Sequence, residues 1–147
     1  YPHPVMEAVL AVFNGHVPST FAKAHALSEF SQSLHFQPLV IAYKRVHRII
    51  TTVISTGPNP ALFKEPQERA LFEKYLEIKK KINTLLGKKD YYGALNTLVT
   101  LKSFIDDFFD HVMVMVEDKE LRQNRLALLT QIKELFLQLA DLSKIPI

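Results

Sequence analysis

The sequence predicts an all-α fold, a bundle of five to six helices. Three observations predict it. Apolar residues recur every three or four positions over most of the chain, which is the period of a helix with one buried face. Stops and caps separate these runs, with Asn14-Gly15, Thr56-Gly57-Pro58-Asn59-Pro60 and Gly87 as stops. Period-two alternation occurs at Val112-Met113-Val114-Met115-Val116, which favours an extended piece, but no second run is available to pair with it.

The first helix is expected from about Pro4 to Phe13, with Val5, Val9, Val12 and Phe13 on its apolar side. Ser19 or Thr20 caps a second through a side-chain oxygen, and that helix runs to about Phe30. Pro38 opens a third at the first-turn position that proline tolerates. It extends to about Ser55 and carries Leu39, Ile41, Val46, Ile49, Ile50 and Val53. Thr56 to Pro60 then forms an exposed loop inside one domain, because the helices before it are too few to bury a core alone. Pro66 starts a fourth helix, which reaches Leu86 and stops at Gly87, with Leu71, Tyr75, Ile78, Ile82 and Leu85 inward. Asp90 caps a fifth to about Asp110, with Leu95, Leu98, Leu101, Ile105 and Phe108 inward. Asp118 caps a sixth to about Leu142, with Leu121, Leu128, Ile132, Leu135 and Leu139 inward. Residues 1–147 are read as one domain. Since the chain starts at Tyr1 rather than Met, it is expected to be part of something larger.

Composition narrows the function. The 147 residues suffice for one core that buries roughly two-thirds of the unfolded surface. With Cys 0 there is no disulfide framework, thiol nucleophile or iron–sulfur cluster. Only 4 glycines argue against a glycine-rich phosphate loop. The longest apolar stretch, Leu39 to Ile54, is broken by Lys44, Arg45, His47 and Arg48, so it falls short of the roughly 18 residues a membrane span needs. No basic segment leads into an apolar one, as a signal peptide requires.

Several constellations carry chemistry on paper. Asp106-Asp107-Phe108-Phe109-Asp110 spells DDxxD, a pattern that holds Mg²⁺ against a diphosphate in helical isoprenoid synthases. That chemistry needs a second acidic cluster and a larger cavity, so the motif is read as a solvated helix end, with Arg122 or Arg125 offsetting its charge. The histidines show no i, i+3 or i, i+4 pair and no HExxH, so no metal site is expected. At least one of Met113 and Met115 is expected in the core. The lysine runs Lys79-Lys80-Lys81 and Lys88-Lys89 lie among acids and read as solvated faces. Tyr43-Lys44-Arg45-Val46-His47-Arg48 is more informative. Lys44, Arg45 and Arg48 fall on one helical stripe, and no acid occurs between Glu29 and Glu65. An uncompensated basic stripe beside an aromatic suits a phosphate backbone and an unstacked base; a basic face that keeps the domain soluble is the equal alternative.

The last third tips that balance. The string FFDxVMVMxxDxxLRxNRLxLL from Phe108 to Leu129, followed by LFLxxADLS from Leu135 to Ser143, closely resembles the C-terminal anticodon-binding domain of the bacterial glycyl-tRNA synthetase β subunit. That domain belongs to the helical DALR group shared with arginyl-tRNA synthetase. The likeness reaches upstream through Glu7-Ala8-Val9-Leu10-Ala11, Lys44-Arg45-Val46, Leu62-Phe63-Lys64-Glu65-Pro66 and Tyr92-Gly93-Ala94-Leu95. One departure is Arg48, where the family pattern after KRV carries an asparagine; the change keeps donors and loses the acceptor.

The resemblance implies a non-catalytic tRNA-binding module, with no cofactor of its own, in a parent that uses ATP and Mg²⁺. It implies glycine tRNA, the synthetase α subunit and the rest of the β subunit as partners, an α2β2 parent, bacterial cytoplasm or a bacterial-type organelle, and neither membrane nor DNA. No catalytic residue is assigned. The RNA-contact candidates are Lys44, Arg45 and Arg48 for phosphates or base acceptors and Tyr43 for stacking, with Arg122, Asn124 and Arg125 added from the resembling motif. Arg122 and Asn124 carry a competing structural role, and Arg122 and Arg125 a competing ion pair with the Asp106–Asp110 cluster. The alternative function is a protein-interaction module that stabilises the α/β assembly without reading the anticodon.

Overall fold

The computed structural model describes every residue except Val53. Its elements are α1 (His3–Leu10), α2 (Val17–Phe30), α3 (Phe36–Ile49), α4 (Pro66–Gly87), α5 (Tyr91–His111) and α6 (Lys119–Leu137), with 3-10 turns at Pro60–Leu62 and Leu142–Lys144. No strand occurs among the described residues.

Helix α5 is central because its apolar residues occupy more than one face. Ala94, Leu95, Leu98, Leu101, Ile105 and Phe108 are all buried, and the helix packs against α4, α2 and α3. Its partner α4 forms an antiparallel hairpin with it through Leu71, Tyr75, Ile78 and Ile82. Helix α3 lies between α5, α6 and the turn Leu142–Lys144, and buries Leu39, Val40, Ala42, Tyr43 and Val46. The Asp141 amide donates to the Ala8 carbonyl at 2.8 Å, which ties the C-terminal segment to α1.

The caps at Asp90 and Asp118 form as expected, accepting from the amide of Gly93 and from those of Glu120 and Leu121. Other boundaries shift for identifiable reasons. The N-cap of α2 is His16, whose Nδ1 accepts from the Ser19 amide at 3.1 Å, and Pro18 sits inside the first turn. Thr20 is instead buried and back-bonds to the His16 carbonyl. Helix α1 ends at Leu10, which leaves Phe13 outside it and exposed. Helix α3 starts before Pro38 and ends at Ile49, and Ile50 is already extended. The run Ile49-Ile50-Thr51-Thr52 is β-branched throughout, and stiff χ1 rotamers crowd a helix while suiting extended backbone. The expectation for Val53 lies outside the described residues. Helix α6 stops at Leu137, and Leu142 belongs to the 3-10 turn instead.

The C-terminus of α4 does not turn on Gly87. The residue with positive φ is Lys89, at 60°. The Asp90 amide donates to the Leu85 carbonyl and the Lys89 amide to the Leu86 carbonyl, the two bonds of a Schellman motif. Between α5 and α6 the chain leaves the helix in an extended conformation at Val112 and then bends at Val114, Met115 and Glu117, so the alternation yields only a short extended piece. Val112 and Val114 are buried, but Met113 and Met115 are both exposed, at 72% and 59%, so neither methionine fills the core.

Candidate nucleic-acid interface

The basic stripe on α3 divides between two clefts. Lys44, His47 and Arg48 line one of about 360 Å³ together with Ser143 and Lys144 of the terminal 3-10 turn. Arg45 lines another of about 570 Å³ between α3 and α5, with Gln37, Pro38, Ile41, Lys102, Asp106 and Asp110. One step around a helix is about 100°, and this is enough to send Arg45 to a different neighbour.

The first cleft is lined by cations from two elements, and a third lies near enough to be felt there. Packing of α3 on α6 and on the terminal turn places Lys133 and Lys144 close enough to act on the His47 imidazole. His47 is held below its ordinary value, first by burial and then by the charges of Lys133, Lys144 and Arg48, against the opposing pull of Asp141. Its Nδ1 is buried without a hydrogen-bond partner among the described residues. Lys133 and Lys144 were not candidates in the sequence, where they lie far from Lys44 and no motif joins them. Arg45 behaves differently. Its guanidinium lies over the Phe109 ring, 4.6 Å from the centroid, on the α5 side.

Tyr43 is not positioned to stack on a base. It is fully buried, with its ring 5.0 Å from that of Phe136 and 6.0 Å from the His47 imidazole. Among the described residues its hydroxyl has no hydrogen bond of acceptable geometry, although the Asp141 carboxylate is near; burial first, and that charge second, push the phenol well above its ordinary range. The sequence held the signal for this burial, since Tyr43 follows Leu39 by four positions and precedes Val46 by three.

The three residues from the C-terminal motif also point inward. Asn124 is buried and clamps the Thr56–Pro60 loop from both sides: its Oδ1 accepts from the Asn59 amide at 2.6 Å and its Nδ2 donates to the Asn59 carbonyl at 3.1 Å. Arg122 is half-buried and donates to the Val116 carbonyl at 3.2 Å. Arg125 is buried; its Nε donates to Glu68 Oε1 at 2.9 Å and its Nη1 to the Met113 carbonyl at 2.7 Å. Glu68 Oε2 accepts from the amides of Lys64 and Glu65, each at 2.8 Å. Burial alone would raise the Glu68 carboxyl, but the Arg125 hydrogen bond, the two amides and the Arg125 charge outweigh it and hold the group below 4.5. This node joins α4, α6 and the segment before α6.

Arg125 therefore does not offset the Asp106–Asp110 cluster, and neither does Arg122. Lys102 pairs with Asp106, and His111 pairs with Asp107 at 3.1 Å. The Asp107 carbonyl first, then the charges of Asp107 and Asp110, raise the exposed His111 imidazole above its ordinary value. Among the described residues no three His, Asp or Glu side chains converge to hold a metal. Nor is any helix among them long and apolar enough to cross a membrane.

A family model of the DALR anticodon binding domain matches residues 39–147. Full-length relatives match as well. The glycine–tRNA ligase beta subunit of Geotalea uraniireducens is 42% identical over 146 residues, covering 99% of this chain and 21% of the relative. That of Geotalea daltonii is 38% identical over 145 residues with the same coverage, and that of a Sulfurihydrogenibium species 36% over 146 residues, 22% of its length. The chain thus spans about a fifth of the curated relatives it matches.

Proposed function

Because the chain belongs to the family of DALR anticodon-binding domains, we propose that it is the tRNA-binding domain of a glycyl-tRNA synthetase β subunit and grips the anticodon stem and loop of glycine tRNA. The observation that carries this reading is the convergence of Lys44, Arg48 and Lys144 on one cleft from two separate elements, with the charge of Lys133 on α6 also reaching the His47 imidazole there. A solubilising surface needs no such convergence. A phosphate backbone gains from it, because clustered cations release condensed counterions when they bind. On this reading the chain positions tRNA and does no chemistry. ATP and Mg²⁺ are handled elsewhere in the parent, an α2β2 assembly working in the cytoplasm or in a bacterial-type organelle.

The test is titration of the chain with an RNA hairpin reproducing the glycine anticodon arm, at several salt concentrations. Lys44→Ala with Lys144→Ala is expected to weaken binding and to flatten the slope of log affinity against log salt by about 1.4, or ~0.7 for each phosphate contact to single-stranded RNA. An unchanged slope in a folded double variant refutes the assignment.

A second reading, contact with other parts of a synthetase, draws on the paired exposure of Met113 and Met115 beside the buried Arg125 node. It predicts salt-tolerant binding to synthetase subunits, lost in Met113→Ser with Met115→Ser, and no discrimination among tRNAs.

A further inference from the structure

We propose that the cleft between α3 and α5 is a cytosine-reading site in which Arg45 and Asp110 take the Watson–Crick edge of an unstacked base. This rests on the tRNA reading above and adds to it the base and the side chains that recognise it.

The cleft has the size and lining for such a ligand. Its volume of about 570 Å³ lies within the range of small-molecule sites. Ile41, 48% exposed, and Pro38 give it an apolar patch suited to the face of a ring. Arg45 is already oriented. The Phe109 ring, with its centroid 4.6 Å from the guanidinium carbon, holds the head group on the α5 side, and the guanidinium carries five N–H donors. Among the described residues those donors have no hydrogen-bond or ion-pair partner.

Asp110 is the matching acceptor. Of the three aspartates at this helix end, Asp106 is paired with Lys102 and Asp107 with His111. Asp110 pairs with nothing among the described residues, and it shares the cleft with Arg45 without forming an ion pair with it. An arginine and a carboxylate that line one cleft and stay apart are both satisfied by a ligand that offers acceptors on one side and a donor on the other.

Cytosine has that edge. Its ring nitrogen and carbonyl accept from Arg45, and its exocyclic amine donates to Asp110. Uracil reverses both terms, with an N–H toward the arginine and a carbonyl toward the carboxylate. Adenine supplies the amine and one acceptor but has a C–H where cytosine has its carbonyl. Guanine can donate to the carboxylate through two N–H groups, so it is the competitor the experiment must exclude. Glycine anticodons share two cytosines, which supplies the target.

The experiment titrates the 147-residue chain, at one fixed salt concentration, with the glycine anticodon hairpin and with hairpins in which each shared cytosine is changed to uracil, adenine or guanine. At one position the change to uracil is expected to weaken binding about ten- to a hundredfold, the range of one good bidentate pair. Arg45→Met should abolish the preference among bases. Asp110→Asn should let uracil approach cytosine, because an amide can donate to the uracil carbonyl. The ratio between hairpins is the readout, since removing a negative charge raises affinity for all of them. Circular dichroism verifies that each variant is folded. Salt-dependent binding with no base preference, a preference for guanine, or a cytosine preference that survives both substitutions overturns this site and leaves the tRNA reading standing. Absence of binding to any hairpin overturns both.

Discussion

Replacing Arg125 by methionine removes one partner of a buried ion pair and keeps most of the side-chain volume. The Arg125 side chain is 6% exposed and that of Glu68 1%, so the carboxylate left behind cannot be rehydrated without opening the contact between α4 and α6. Breaking a pair of this kind costs about 3–5 kcal/mol. The amides of Lys64 and Glu65 still donate to Glu68, which places the expected loss near the lower bound, about 3 kcal/mol. At ~2–4 °C per kcal/mol for a domain of this size, the melting temperature should fall on the order of 10 °C. Urea unfolding followed by circular dichroism measures the change directly. A second signature comes from pH. Glu68 titrates below its ordinary 4.5 in the folded chain, so its contribution is present above the unfolded value and is lost as pH falls through the folded one. In Arg125→Met only the two amides oppose the desolvation, so the Glu68 carboxyl titrates higher than in the parent. The stability gap between parent and variant should therefore narrow on acidification below pH 4.5. A variant within 1 kcal/mol of the parent at neutral pH, or a gap that widens in acid, refutes the assignment of Arg125 to this node.

Three further outcomes are expected. Asn124→Ala removes both hydrogen bonds to Asn59 and should destabilise the chain by about 1–3 kcal/mol, with protection of the Asn59 amide from hydrogen exchange lost first. Lys89→Gly relieves a left-handed backbone at φ 60° and should stabilise by about 0.5–1 kcal/mol in the same urea assay, whereas a glycine at an ordinary helix end would give no gain. His47 is depressed by burial and by three neighbouring cations, and a polyanion in that cleft raises it again. Binding of the anticodon hairpin should therefore tighten with proton uptake as pH falls toward the depressed value of the free imidazole, below its ordinary 6.5, and His47→Gln should remove that uptake while leaving the fold intact.

What the sequence carried well was local. Asp90 and Asp118 cap because a short carboxylate reaches the amides of the first turn, and Pro66 starts α4 because its missing N–H is unneeded there. The inward face of α5 follows from spacing alone. The misplacements came where a weaker local rule lost. The glycine at 87 drew the left-handed stop two residues ahead of Lys89, where it falls, and the helix itself runs one residue past Leu86, because the Schellman bonds accepted a lysine in the left-handed region. Pro18 already marked an earlier start for α2, yet the cap itself is an imidazole nitrogen, a group rarely counted among N-caps. Lys133 and Lys144 join Lys44 and Arg48 through the packing of α3 on α6 and the terminal turn, a tertiary fact with no sequence period.

The C-terminal string that most resembles a tRNA-binding family consists largely of residues with internal partners. Asp118 caps α6, Arg122 holds the Val116 carbonyl, Asn124 clamps Asn59, and Arg125 bridges Glu68 and Met113. Arg125 and Asn124 each ask for one side-chain shape. A planar fork must reach a carboxylate and a carbonyl at once, and an amide must accept and donate to the same residue. Few substitutions meet such demands, so the signature is a record of how the helices lock together. Exposed cations on α3 face looser terms, since a phosphate accepts any well-placed donor. The resemblance therefore places the chain in its family through its internal architecture, and the contact residues have to be found from the clefts that this architecture creates.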